Sequence, residues 1–186
     1  GFLAFTREAD IKKIKIPKNL KIAVMINGNE YINKLNKLKN IFVEKNKSKI
    51  DLVTVAINIL DVEKIEKIIK VLKSLKYKVA INLMQSNNVD KKFLINLINI
   101  ISDWKSCDIL YFADSLGAMD YLEVRRLSLL INKHWKKKFG FHSHDNRSLS
   151  LSNCLEAVNN SVHYIDSTIL GMGRGAGNLA TEKILF

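Results

Sequence analysis

The sequence has no uninterrupted apolar stretch of the roughly 18 residues needed to cross a bilayer, so no membrane partner is expected. Gly1 to Asp10 lack the basic n-region and apolar h-region of a signal peptide, and they read as a chain entered partway through. Only two cysteines occur, Cys107 and Cys154, far apart and forming no CxxC pair. That usage fits buried free thiols in a reducing, cytoplasmic compartment rather than a disulfide. Also missing are an RNA-binding aromatic motif and a recognition-helix pattern. Nucleic acid is therefore not the expected partner, although the net charge is +12. The lysines lie between apolar residues at helical spacing, as in Val62-Glu63-Lys64-Ile65-Glu66-Lys67-Ile68-Ile69-Lys70, which is the pattern of a solvated helix face.

What is present is a length of 186 residues and 47% hydrophobic content, enough for one domain with a substantial core and too apolar for a disordered chain. Short β-branched runs alternate with amphipathic segments. The expected strands are Lys21–Asn27, Ile50–Asn58, Lys78–Met84, Asp108–Ala113, Phe139–His142 and Tyr164–Ile169. Between and after them, helices are expected over Glu30–Lys45, Val62–Leu75 with Asp61 as N-cap, Lys91–Trp104, Tyr121–Trp135, Ser148–Asn159 and Leu179–Phe186. This βα alternation predicts an α/β fold with a parallel sheet, either doubly wound or part of a TIM (β/α)8 barrel. Polar residues recur at the strand ends: Asn27, Asn58, Asn82, Gln85, Asp114, Ser115, His142, His144 and Thr168. In a barrel all such positions face one mouth, whereas in an open sheet only those at the switch point cluster, so the barrel is favoured. Six strands are too few to close it, and residues 1–186 are expected to form one partial TIM-barrel catalytic domain.

Three segments carry chemistry. In Gly140-Phe141-His142-Ser143-His144-Asp145-Asn146, the i, i+2 spacing points both imidazoles to one side of an extended chain, where they can grip a divalent cation. Two ordinary loop histidines would read the same way. In Ile165-Asp166-Ser167-Thr168-Ile169-Leu170-Gly171-Met172-Gly173-Arg174-Gly175-Ala176-Gly177-Asn178, alternating glycines allow tight turns and close ligand approach. The loop is expected to run into a helix start, whose free N–H groups suit an anion. A dinucleotide motif is rejected, because that motif opens the first βαβ unit and here the chain ends. Ala113-Asp114-Ser115-Leu116-Gly117-Ala118 is a strand end and turn, in which Asp114 read alone is a cap or turn former.

Taken together, His142-x-His144-Asp145-Asn146, then Ile165-Asp166-Ser167-Thr168, then Gly171-Met172-Gly173-Arg174-Gly175-Ala176-Gly177-Asn178 resemble the HMG-CoA lyase-like family, the DRE-TIM metallolyases. Asp114-Ser115-Leu116-Gly117 matches the family's Asp-Ser/Thr-x-Gly, and weaker resemblance reaches back through Asn82-Leu83-Met84-Gln85 to Ile22–Asn27. The glycine loop looks most like the 4-hydroxy-2-oxovalerate aldolase branch. The acyl-CoA condensing synthases usually read His-x-His-Asn-Asp, and HMG-CoA lyase itself carries a cysteine in this loop; they, and a non-catalytic fragment, are the alternatives.

The resemblance implies a metal-dependent carbon–carbon lyase that cleaves a 4-hydroxy-2-oxo acid to pyruvate and an aldehyde. It implies Mn²⁺ or Mg²⁺ on His142 and His144, with Asn178 near or on the metal. Substrate contacts are implied at Asn82, Asp114, Ser115, Thr168, Gly171 and Gly173. The six strands would be barrel strands three to eight, with Gly1-Phe2 ending the second strand's Glu-x-Gly. The family's first strand ends in Arg-Asp-Gly, whose Asp ligates the metal and whose Arg stabilises the enolate; that motif is not in this sequence. The catalytic Arg and base are therefore absent, and the chain alone is expected to be inactive. A longer polypeptide, a homo-oligomer or a partner would supply the rest.

Overall fold

The computed structural model describes residues 7–185; the Gly1-Phe2 reading and Phe186 lie outside the described residues. Six strands form one sheet: β1 (Ile22–Asn27), β2 (Ile50–Asn58), β3 (Lys78–Met84), β4 (Ile109–Asp114), β5 (Phe139–Ser143) and β6 (Tyr164–Asp166). Every neighbouring pair is parallel, and the spatial order follows the chain order. A doubly wound sheet would reverse its strand order at a switch point. The absence of a reversal among the described strands makes this a segment of a barrel wall.

The strand faces differ as a barrel wall requires. Val53, Val55, Ile57, Val79, Ile81, Leu83, Leu110, Phe112, Phe139 and Phe141 lie in the main core with the helices. The helices concerned are α3 (Glu66–Ser74), α4 (Lys91–Asp103), α5 (Tyr121–His134) and α6 (Ser150–Asn159). Phe112 and Phe141 stack there with centroids 4.6 Å apart. The alternate residues, Leu52, Ala80, Ile109, Tyr111 and Tyr164, form a second, smaller cluster on the opposite face. Cys107 and Cys154 are buried and free, and burial pushes both thiols up to about 12. No helix among the described residues is long and apolar enough to cross a membrane.

Several elements differ from expectation, each for a local reason. The helix expected over Glu30–Lys45 shrinks to α2 (Leu35–Ile41), because the Asn27 side chain accepts the Asn29 N–H and starts a tight 3-10 turn at the end of β1. Asn58 does the same for Leu60, so a 3-10 turn precedes α3 and Asp61 is not the cap; Asp61 instead pairs with Lys64 at 2.6 Å. A short helix, α1 (Glu8–Lys13), precedes the sheet where none was expected. β6 stops at Asp166, and the last helix, α7, covers only Thr181–Ile184.

The β1–β2 ladder slips by one residue between Ile22 and Ala23, where Asp51 is extra. The Asp51 carboxylate fills the gap, accepting the Ile22 N–H at 3.0 Å and pairing with Lys45 at 3.2 Å. Burial alone would raise this carboxyl, but Ile22 and Lys45 outweigh it and hold it below the usual range. A depressed folded-state value stabilises the fold above the unfolded carboxyl's range, near pH 4, and that stability is lost as pH falls through the folded value. Asp51→Asn is therefore expected to flatten the acid limb of a stability-versus-pH curve measured by urea unfolding. An acid limb identical to the native one would contradict this.

Candidate functional site

Parity along β5 sets the centre of the site. Phe141 and Ser143 face the helices and are fully buried, so His142 and His144 both face the other way. Their rings meet edge to face with centroids 5.2 Å apart. His142 Nδ1 lies 3.0 Å from Asp166 Oδ2 on the neighbouring strand. Burial, then the nearby His142, lowers the proton affinity of His144, against the raising influence of the Gly177 and Arg174 carbonyls and the Asp114 carboxylate. That favours neutral imidazole, the form that ligates metals.

Beneath the histidines lies an apolar floor. Tyr111, Gly140 and Tyr164 are register partners across β4, β5 and β6. The Tyr111 ring covers Gly140 so closely that a Cβ there would overlap it, which is why a glycine precedes the histidines. Tyr111 and Tyr164 stack with centroids 6.3 Å apart.

The glycine loop folds back onto this wall. Gly171, Gly175 and Gly177 have positive φ, and so does Leu170 at 55°. Asn178 N–H donates to the Gly171 carbonyl at 2.9 Å, and Asp145 N–H donates to the Gly177 carbonyl at 3.0 Å. The reversal brings Asn178 into an isolated antiparallel bridge with His144, and Ala180 into a parallel bridge with Thr168. The loop thus does not run straight into a helix: α7 begins only at Thr181 and is four residues long, so the expected helical anion site is not formed.

The third motif joins through Asn146. Its backbone and side chain fill the space over Gly117, whose φ is +58°, and its amide lies against Gly175. Arg147 Nη1 donates to the Ala118 carbonyl at 2.8 Å. Three segments far apart in sequence therefore form one contiguous site.

The remaining expected residues are distributed as follows. Asp114 follows the helix-facing parity of Phe112 and is buried; its oxygens accept the Ala118 and Met119 N–H groups at 2.9 and 3.1 Å. Burial raises its carboxyl, and those N–H groups only partly offset the effect. Ser115 Oγ accepts the Gln85 N–H at 3.0 Å. Thr168 Oγ1 donates to the Met172 carbonyl at 2.7 Å, pinning the loop. Gly173 lies against the Asn178 amide, where a Cβ would overlap. Asn82 lies on the open face, register-paired with Tyr111, and its Oδ1 is buried without a hydrogen-bond partner. Asp166 is the residue sequence reading did not place in the site; its position at the end of the strand after that of His142 was the available signal.

Among the described residues no group of three His, Cys, Asp or Glu side chains gathers as a complete metal cage. What gathers is two imidazoles and an amide. Asn178 Nδ2 donates to the Met172 carbonyl at 3.0 Å, while its Oδ1 is buried with no partner. A buried oxygen left unpaired is unfavourable unless something accepts its lone pairs. Two imidazole nitrogens with an amide oxygen are a donor set for a divalent cation, so these residues fit such an ion as part of its shell.

Fold and site together define a TIM-barrel wall segment with a histidine pair at its mouth. Comparison with known proteins places it further: the family model described as HMGL-like matches residues 14–186, and the chain belongs to that family. It is 27% identical over 169 residues to a 4-hydroxy-2-oxovalerate aldolase of Bacillus cereus, covering 90% of this chain and 47% of that protein. The N-terminal domain of a Bacteroides vulgatus protein assigned as an aldolase superposes with a TM-score of 0.79 at 30% identity, covering 90% of this chain and 55% of that one. The HMG-CoA lyase of Bacillus subtilis superposes with a TM-score of 0.72 at 18% identity, over 95% of this chain and 65% of that one, and shares the fold. Curated relatives are thus matched over less than half of their length.

Proposed function

We propose that residues 1–186 are a partial TIM-barrel domain, barrel strands three to eight, carrying the cation-binding half of an aldolase site. The reaction is cleavage of a 4-hydroxy-2-oxo acid, such as 4-hydroxy-2-oxovalerate, to pyruvate and an aldehyde. The observation that carries this reading is the convergence of His142, His144 and the unpaired Asn178 oxygen beside one glycine loop. These three residues would hold Mn²⁺ or Mg²⁺. When bound, the cation supplies Lewis-acid chemistry to the 2-oxo acid.

The chain's own residues bind and orient. Tyr111 and Tyr164 stack to form the floor beneath the histidines. Asn82 Oδ1, buried and unpaired on the open face, is available to accept a hydrogen bond from the substrate's 4-hydroxyl. Ser115 and Thr168 hold the strand-end and glycine loops, Gly171 and Gly173 give the backbone room, and Asp114 fixes the turn after β4. Among the described residues none is assigned the role of taking the proton from the 4-hydroxyl. That base, and the Arg that meets the enolate, belong to the Arg-Asp-Gly region not found in this sequence.

β1 and β6 are each paired on one side only among the described strands. The remaining wall comes from more of the polypeptide, a second copy or a partner. The working compartment is the cytoplasm.

Calorimetry tests the substrate class. In the presence of Mn²⁺, the 186-residue chain is expected to bind pyruvate and to ignore acetyl-CoA; the reverse preference would favour a condensing synthase. With 4-hydroxy-2-oxovalerate and Mn²⁺ no pyruvate should form. Turnover by a monodisperse monomer would overturn the claim that the site is incomplete.

A further inference from the structure

We propose that Asp166 is a positioning residue that selects which nitrogen of His142 is offered to the cation. The inference rests on the metal reading of His142 and adds a residue to it.

His142 and Asp166 are direct partners in the parallel β5–β6 ladder, so their side chains emerge on the same face of the sheet. Their side chains meet at 3.0 Å through Nδ1 and Oδ2, and both are partly shielded, at 21% and 35% exposure. A carboxylate can only accept a hydrogen bond. The proton between the two atoms is therefore the imidazole's, on Nδ1. In neutral imidazole that leaves the free lone pair on Nε2, and Nε2 is the ligating nitrogen.

The carboxylate is itself held in place. β6 ends at Asp166, and the chain just beyond it is tied down twice. Ser167 Oγ and Thr181 Oγ1 lie 3.0 Å apart, and the Thr168 N–H donates to the Leu179 carbonyl at 2.9 Å. A side chain on a strand end fixed by such ties keeps its partner ring in one orientation. His144 has no carboxylate so placed; its ring lies beside the Gly177 and Arg174 carbonyls. The two histidines are thus oriented by different devices, and only that of His142 can be removed by changing one side chain.

The test has two readouts, neither of them catalytic. Long-range proton–nitrogen NMR correlations on the isotope-labelled, metal-free chain should show His142 as the Nδ1–H tautomer. Asp166→Ala should release it toward the Nε2–H tautomer and lower Mn²⁺ affinity, measured by calorimetry, by about ten- to a hundred-fold. Asp166→Asn keeps the side-chain volume and guards against a packing effect: its melting curve should stay native while Mn²⁺ affinity falls about ten-fold. A native His142 in the Nε2–H tautomer, or native Mn²⁺ affinity in both variants, would overturn the role of Asp166. A native chain with no Mn²⁺ affinity at all would instead sink the metal site itself.

Discussion

His142→Ala and His144→Ala are each expected to abolish Mn²⁺ binding measured by calorimetry. The chain offers a cation two imidazoles and one amide oxygen, and no further His, Cys, Asp or Glu cluster stands by among the described residues. Removing either ring takes away one of the two nitrogen donors the site offers. The loss should exceed the ten- to hundred-fold typical of removing a supporting residue, because a direct ligand is gone. The fold should survive either change, since the core side chains of β5 are Phe139 and Phe141, which face the other side. Unchanged affinity in both variants, with native melting curves, would refute the assignment.

Gly177→Ala should have the largest effect on the loop. Its φ is +96°, and an added Cβ would overlap the Gly171 carbonyl oxygen, the acceptor of the Asn178 N–H. The alanine would be strained by its own backbone, at roughly 1–3 kcal/mol. It would also push away the contact that closes the loop, so Asn178 should leave its bridge with His144. Urea unfolding should show the lost stability, and Mn²⁺ affinity should fall with it. Gly175→Ala is the control: its φ is +61°, but its nearest neighbour is the Asn146 amide at 3.5 Å, an ordinary contact. Equal behaviour of the two variants would mean that loop closure does not position Asn178.

Much of this arrangement was legible in the sequence because it depends on short-range periodicity. The run from Ile50 to Asn58 is rich in β-branched residues and ends in a polar one, the run from Lys78 to Met84 is mostly apolar and is followed by Gln85, and both are the strands expected. The i, i+2 spacing of His142 and His144 fixes their common face once β5 is a strand. What was hidden depends on register or on side-chain choices between local alternatives. Asn27 and Asn58 could each have ended a strand passively; instead both accept an N–H two residues on and replace the first turns of the expected helices. Asp114 sits one residue past the open face, so its carboxylate accepts the N–H groups of the turn after β4. The Asp166–His142 contact spans 24 residues, and only the β5–β6 register brings it about. The return of Asn178 to His144 required the left-handed turns at Gly175 and Gly177, which a glycine-rich composition permits without specifying their course.

The central claim is that a cation sits on the imidazoles of His142, in β5, and His144, just past its end. The most direct test is electron spin-echo envelope modulation of the Mn²⁺-loaded chain. The account predicts coupling to two imidazole nitrogens in the native chain, and none in His142→Ala or His144→Ala samples at the same Mn²⁺ concentration. A spectrum matching aqueous Mn²⁺, with no nitrogen coupling, would contradict it.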